Sequence, residues 1–321
     1  MSGVVEKMCD VESATSSLER RREVDGPAPV PSTSVEADLG AGGGATASVR
    51  RPTLMIQPDS GWLDIGARDL WTHRELLLFL TWRDLKVRYK QTALGAAWAL
   101  LQPLFTVAIF TFVFGKLANL PSDGVPYPVF VLAGILPWTY FSGAVTNASN
   151  SLVGSAYLIT KVYFPRLIVP AAAALGGVVD LAVGSALLLI LMAIYSVPLA
   201  VTALLIPLLV GVLVLLALSF GLLFSAVNVR YRDVRHLLPF VVQAWMFLTP
   251  VVYSLDAVPA KWRWLMLLNP VSGLVTSMRA AIFGLPLDWS ALTISIGCTF
   301  VLLIASVLAF GRMEKSFADF V

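Results

Sequence analysis

Few residues of this sequence have the type and spacing that chemistry requires. The histidines His73 and His236 and the cysteines Cys9 and Cys298 lack the spacing of zinc ligands, and Cys9 and Cys298 lie 289 positions apart, so we expect no metal site and no disulfide. The sequence has neither the phosphate-binding pattern Gly-x-x-x-x-Gly-Lys-[Ser/Thr] nor the nucleophile pattern Gly-x-Ser-x-Gly. We therefore expect no catalytic site and no cofactor on this chain. Any work driven by ATP and Mg²⁺ would use a site on a separate subunit.

The composition is typical of a helical membrane protein. Of 321 residues, 57% are hydrophobic and only 13% are charged, with a mean hydropathy of +0.79, whereas globular proteins have about 25% charged residues. These values exclude a secreted disulfide scaffold, a disordered protein and a nucleic-acid-binding domain. Residues 1–60, with nine acids, six bases and runs of proline and glycine, predict a disordered cytoplasmic tail. Residues 61–321 predict the transmembrane domain.

Six apolar stretches are long enough to cross a bilayer core of about 30 Å as helices. Pro198 separates two of them, because proline has no N–H to donate and clashes with the preceding turn. The predicted fold class is an all-α polytopic membrane protein. The six predicted spans are 93–115, 128–149, 167–194, 200–227, 236–254 and 289–311.

The distribution of lysine and arginine predicts the orientation of these spans. From Arg74 onward, twelve bases precede the first span, follow the last, or lie in the second–third and fourth–fifth connections, whereas the other connections hold four, including Arg279. Because cytoplasmic loops carry the excess of bases, we expect both termini in the cytoplasm.

Two further segments predict helices that do not span. Leu78, Trp82, Leu85 and Tyr89 recur on one helical face, which indicates a helix in the membrane interface or, alternatively, an amphipathic helix packed on soluble protein. The connection 255–288 is too apolar for solvent and too interrupted for one span, so we expect short re-entrant helices there, over a pathway. The bases predicted to contact lipid head groups are Arg83, Lys86, Arg88, Lys90, Arg230 and Arg232.

Asp180 is a carboxylate placed roughly 20 Å into the third span, where a charge costs several kcal/mol. Gly176 and Gly184 share its face and let another helix approach. Asp180 is either part of a polar pathway or proton site, or an acid at a helix contact, and the sequence shows no obvious basic partner. Aromatic side chains are either packing groups or lining groups of a path that stacks on sugar rings. The predicted path residues are Asp180, Phe105, Phe112, Gln243 and Phe247.

Three ordered motifs resemble those of ABC-2-type permeases that export polysaccharides, such as O-antigen, capsule and teichoic acid. The first is WRDLKVRYKQTALG at 82–95, followed by WALLQPL at 98–104. The second is NVRYRDV at 228–234, which continues to LP at 238–239 and LTPV at 248–251. The third is LNP at 268–270, so the resemblance covers about 70–315 and leaves the tail outside it.

The resemblance implies a homodimer in the bacterial inner membrane, bound to two copies of a separate ATPase. It implies that a segment at about 150–165 is a coupling helix in a cleft of that ATPase, with Tyr157, Leu158, Ile159 and Lys161 as contacts. It also implies that the short helices before the last span form an outer gate. The segment Arg230–Arg235 contacts the ATPase or a lipid-linked pyrophosphate, or it is only an anchor to anionic lipid.

The function that we expect is the permease subunit of an ATP-driven exporter of a lipid-linked glycan. The alternative within the same superfamily is export of a drug or a small lipid. A proton-coupled transporter using Asp180 predicts more intramembrane acids and paired repeats, and a glycosyltransferase predicts clustered carboxylates; the sequence shows none of these.

Overall fold

The computed structural model describes residues 72–90, 97–161 and 164–314. These segments are helical, with short connections, and no strand occurs within them. The tail predicted at 1–60 lies outside the described residues. The first helix, α1, is Arg74–Lys90, and α2 is Ala97–Phe110, which continues as a π-helical turn, Thr111–Leu117.

Five helical segments are long and apolar enough to cross a membrane, which confirms the predicted fold class. The chain is therefore a multi-pass membrane protein. The first crossing segment is Leu100–Leu117, and four more follow close to their predicted bounds. These are α3 Tyr127–Gly154, α5 Ile168–Ile194, α6 Ile206–Arg230 with its preceding 3₁₀ turn Val201–Leu205, and α10 Trp289–Glu314; the short α4, Ala156–Lys161, lies between α3 and α5.

The helix α3 lies at the centre of the bundle, and α2 lies at its edge. In the most apolar 18-residue stretch of α3, 78% of the residues are buried, against α5, α6 and other helices. In the span formed by α2, only 6% are buried. Because α3 is enclosed, small residues lie where a neighbouring helix approaches it closely. Gly184 of α5 faces the Leu136 side chain of α3, as the predicted glycine face requires, but nothing lies near Gly176.

Basic residues, among them Arg166, Arg230 and Arg312, lie at one end of the bundle, which we call the basic end. There the end of α3 at Leu152, the start of α5 at Ile168, the end of α6 at Val229 and the end of α10 at Phe310 share one buried cluster. Arg166 donates to the Glu314 carbonyl, 2.9 Å away, and so joins the start of α5 to the end of α10. This antiparallel arrangement is the one expected from crossings joined by short loops. The sequence predicts that the basic end is cytoplasmic.

The predicted fifth span, 236–254, is wrong as a single helix. The helix α7, Val234–Phe247, has 14 residues and rises only about 21 Å. Its start follows α6 directly at the basic end, while Val252 accepts a hydrogen bond from Tyr127 at the start of α3, at the opposite end. The chain therefore crosses here too, but the last part of the crossing, 248–253, is turn and coil.

The connection before α10 folds as a re-entrant pair, as the sequence predicts. The helices α8, Ala260–Leu268, and α9, Pro270–Phe283, meet at an angle of 98°. The chain enters α8 from the opposite end, where Asp256 and Asp123 line one cavity, and α9 returns there, because the Ile282 carbonyl accepts from Ala200 N. We therefore interpret the pair as dipping into the membrane and returning, which gives six crossings in the part of the chain that the structure describes.

Candidate functional site

A polar cluster in the membrane domain joins α1 to α5. The guanidinium of Arg88 forms an ion pair with the Asp180 carboxylate, and the hydroxyl of Tyr89 donates to the same carboxylate. Asp180 thus has a basic partner, which sequence reasoning missed because Arg88 lies 92 positions earlier.

This cluster borders a cavity of about 330 Å³ between α1, α2, α3 and α5. Apart from the cluster, polar groups of two helices line it, among them Gln102 and Thr106 of α2 and Thr139 and Asn147 of α3. A cavity of this kind lets hydroxyl-bearing groups keep hydrogen-bond partners at membrane depth, where an unpaired polar group costs several kcal/mol.

The course of α1 differs from that of a helix lying flat on the interface. Leu80 belongs to the buried cluster at the basic end, while Tyr89 reaches Asp180, 12 residues beyond Ile168. The last turn of α1 therefore lies beside the middle of α5. On the predicted apolar face, Leu78 and Trp82 stay exposed on the chain, which is what contact with lipid requires.

The break after α7 frees backbone carbonyls, and side chains satisfy them. Leu248 O accepts from the Asn269 amide at 3.2 Å, and Val251 O accepts from the Arg279 guanidinium at 2.7 Å. Tyr253 donates to Phe247 O at 3.0 Å, beside the Tyr127 bond to Val252. Irregular backbone inside a membrane is tolerated only where protein or water satisfies it, and here the protein does so.

Arg279 is a buried cation of α9, only 3% exposed, and not the outer-loop base that the sequence count assumed. Its guanidinium carbon lies 3.8 Å from the centre of the Phe130 ring, an arrangement that a cation–π attraction stabilises. Gly134 makes room, since a Cβ there would come within 2.3 Å of the guanidinium and 2.4 Å of Val251 O. Arg279 is therefore not an exposed loop base, and the orientation of the spans stays a prediction.

Most predicted path residues lie on surfaces that this chain leaves uncovered. Phe105 and Phe112 project from the exposed side of α2, and Gln243 and Phe247 are exposed on α7. Asp180 lies apart from them, on α5 at the cavity described above. The structure therefore gathers these five residues on no single surface of one protomer, and their role stays a prediction.

The predicted coupling residues lie on α4, at the basic end. Tyr157 is exposed, and Lys161 places its Nζ 6.0 Å from the centre of the Tyr157 ring. Leu158 packs against the buried cluster of the basic end, and the side chain of Ile159 lies outside the described residues. Between α4 and α1 lies an open groove of about 550 Å³, bordered by Arg83, Asp84, Val87, Gly154, Ser155, Tyr157 and Leu158.

The predicted lipid-contacting bases occupy several environments. Arg83 pairs with Asp84 at 2.8 Å, and Lys86 lies 5.6 Å from the Trp82 ring centre. Arg230 lies 5.4 Å from the Tyr231 ring centre, and Lys90 and Arg232 are exposed. The sixth, Arg88, is bound to Asp180. Contact with lipid head groups stays a prediction for all of them.

Comparison with known proteins decides the family. Residues 75–283 match the family described as ABC-2 type transporter. The chain belongs to the ABC-2 type transporter family. It is 30% identical to an O-antigen export system permease protein of Myxococcus xanthus over 258 residues, which is 78% of this chain and 97% of that protein.

Two other relatives of this ABC-2 protein carry export or transport names. An O-antigen export system permease protein of Klebsiella pneumoniae is 25% identical over 76% of this chain and 94% of its own length. A polysialic acid transport protein of Escherichia coli is 26% identical over 64% of this chain and 79% of its own length. The family match at 75–283 includes all three sequence motifs and extends through the re-entrant pair.

Sequence reasoning missed two residues that hold the broken crossing together. Asn269 was noted only within the motif Leu268-Asn269-Pro270, although asparagine before proline is a signal for a helix N-cap. The Asn269 side chain does cap α9, because its Oδ1 accepts from Val271 N at 3.1 Å. Arg279 was counted only as a loop base, and its place in the apolar run of α9 was the signal of burial.

Proposed function

We propose that this chain is the membrane-spanning permease subunit of an ATP-binding-cassette exporter that moves a lipid-linked polysaccharide out of the cytoplasm across the inner membrane. The observation that carries the proposal is the match to an O-antigen export permease over 97% of that protein's length. The family match at 75–283 includes the first five crossings and the re-entrant pair, so the similarity is not confined to one motif.

A homodimer supplies the path in this proposal. A sugar polymer loses hydrogen bonds to water in hydrocarbon, so it needs a continuous wet route. The closed bundle around α3 leaves little room for one within a protomer. The uncovered faces of α2 and α7, with Phe105, Phe112 and Gln243, support a route at the seam between two copies.

A separate ATPase supplies the energy in this proposal, and this chain is not an enzyme. Family membership supports such a partner, and the exposed α4 beside an open groove at the basic end supports a docking place for it. In the described part of the chain, no group of three His, Cys, Asp or Glu residues has the geometry to hold a metal ion. ATP and Mg²⁺ then act on the partner, with the basic end and both termini in the cytoplasm.

The test is disruption of the gene in its host, followed by complementation. We expect surface polysaccharide to disappear while the lipid-linked glycan accumulates on the cytoplasmic face, because synthesis continues and export stops. Immunoblots of intact and lysed cells measure both. Normal surface polysaccharide together with new sensitivity to small toxic compounds would contradict the proposal and support the drug-export alternative.

Reconstitution gives the direct measurement. Proteoliposomes that contain this chain and its ATPase are expected to move a glycan bearing its lipid anchor only when ATP is present. A matched preparation with the chain and no ATPase controls for leakage.

A further inference from the structure

Asn269 lies at the tip of the re-entrant pair, between α8 and α9, and its amide uses every hydrogen-bonding position that it has. Its Oδ1 accepts from Trp245 Nε1 and from Val271 N, each at 3.1 Å. Its Nδ2 donates to Leu248 O at 3.2 Å and to Thr249 Oγ1 at 3.0 Å. A primary amide has two donors and two lone pairs, so this side chain is fully satisfied.

The partners of this amide belong to two different elements. Val271 is in the re-entrant pair, whereas Trp245 is in the last part of α7 and Leu248 and Thr249 begin the broken part of that crossing. Thr249 also donates from its hydroxyl to Trp245 O at 3.0 Å, so the end of α7 and the break form one hydrogen-bonded unit. Asn269 therefore ties the tip of the re-entrant pair to the end of α7.

Trp245 itself is fixed by the bundle. Its ring lies 5.0 Å from Phe220 of α6 and 5.4 Å from Phe141 of α3, both nearly perpendicular to it. Edge-to-face contacts of this kind give a ring one preferred orientation. The indole N–H consequently points at Asn269 in a position that the core determines, and a shift of α7 changes that position.

We propose that Asn269 is a positioning residue that makes the re-entrant pair move with α7 during transport; this rests on the proposed function and its ATPase partner, but not on the identity of the exported substrate. The physical reason is the cost of separation. If α7 shifted alone, up to three hydrogen bonds of one half-buried amide would break, and polar groups that lose their partners inside a membrane are costly. Arg279 donates a hydrogen bond to Val251 O, in the later part of the break. That bond does not hold the end of α7 itself, so it does not replace the link made by Asn269.

The experiment measures hydrogen–deuterium exchange in the complete complex of two permease and two ATPase subunits, with and without a non-hydrolysable ATP analogue. The variant Trp245→Phe keeps an aromatic ring beside Phe141 and Phe220 and removes the N–H donor to Asn269 together with the pyrrole ring that carries it. Asn269→Ala removes the whole link, and Trp245→Phe keeps the test valid if that variant does not fold. Trp262→Phe on α8, where the ring is exposed, is the matched control.

In the wild-type complex and in Trp262→Phe, the analogue is expected to change exchange in 234–247 and 260–283 together. In Trp245→Phe, the change in 234–247 should persist while that in 260–283 falls by about fivefold, the equivalent of one hydrogen bond. An unchanged response of 260–283 in Trp245→Phe, or a wild-type complex in which the two segments respond separately, would overturn the proposal. Because no glycan is present, failure of polysaccharide export leaves this result unaffected, and the two proposals fail separately.

Discussion

Arg88, in the last turn of α1, forms an ion pair with Asp180, in the middle of α5. The pair connects the segment just before the first crossing to the third crossing, and Tyr89 donates to the same carboxylate. An unpaired carboxylate at this depth in the membrane is costly in free energy. The ion pair lowers the cost of placing both Arg88 and Asp180 there. The pair therefore anchors α1 to the bundle at a defined level.

The first prediction concerns the strength of this ion pair. In a double-mutant cycle of Arg88→Gln and Asp180→Asn, we expect a coupling energy of about 1–2 kcal/mol, because the pair is partly shielded from solvent. Thermal unfolding in nanodiscs measures it. The control cycle is Arg83→Gln with Asp84→Asn, a pair of adjacent residues on α1 that is similarly exposed on the chain but joins no second helix, so it should couple by less than about 0.5 kcal/mol. Equal coupling in the two cycles would contradict the anchoring role.

Much of the fold is predictable because membrane crossing imposes a length and a composition. Four long spans were predicted within a few residues of α3, α5, α6 and α10 at most boundaries, and the apolar, interrupted connection was recognised as re-entrant. The prediction that Gly176 and Gly184 let another helix approach was correct for Gly184, which faces Leu136. At Gly176, nothing lies within 4 Å of the position that a Cβ would take. Local pattern and bilayer thickness were enough for these features.

The features that escaped prediction depend on contacts between distant residues. Pro250 is a local signal that α7 ends near Phe247, but no local pattern shows that Asn269 and Arg279 satisfy the freed carbonyls of the break. The Arg88–Asp180 pair is equally non-local. Single-sequence patterns report which residues avoid water, but they do not report which side chain meets which carbonyl.

The second prediction concerns Gly134, where the backbone of α3 approaches Arg279 and Val251. Gly134→Ala should lower stability by about 1–3 kcal/mol, because the new methyl group overlaps two atoms that cannot both move away. Gly143→Ala in the same helix is the control, since nothing lies within 4 Å of a Cβ there, and it should be neutral or stabilising by up to about 1 kcal/mol. Similar thermal unfolding midpoints for the two variants would show that the close approach of α3 to Arg279 and Val251 does not affect stability.

The third prediction concerns the pH dependence of the cap on α10. Ser290 donates from its hydroxyl and Ala291 donates from its N–H to the Asp288 carboxylate, and these bonds hold the pKa of Asp288 below its usual value. Asp288→Ala should therefore cost about 1 kcal/mol of unfolding free energy at neutral pH. A depressed pKa means that the charged form is stabilised on folding, so the contribution is complete above about pH 4 and declines as the pH falls through the pKa of the folded state.

Thermal unfolding of the wild type and Asp288→Ala between pH 3 and pH 7 (roughly the range in which carboxylates titrate) measures this effect. Asp288→Asn is the control, because an amide oxygen caps a helix without titrating, and its difference from Asp288→Ala should stay constant. A wild-type advantage that increases as the pH falls would contradict the assignment.

The last prediction concerns α4 and rests on the proposed ATPase partner. Lys161→Ala removes an exposed charge, and Leu158→Ala removes an apolar group that packs on the basic end. Each should lower ATP-driven export several-fold while the permease still inserts and dimerises, because a short helix docked in a partner transmits force through few side chains.

Proteoliposome export and ATP hydrolysis are measured together, and thermal unfolding separates a folding defect of Leu158→Ala from a coupling defect. Lys116→Ala, which removes an exposed charge at the opposite end, is the matched control and should export normally. Normal export with unchanged stimulation of the ATPase in Lys161→Ala and Leu158→Ala would remove α4 from the coupling path.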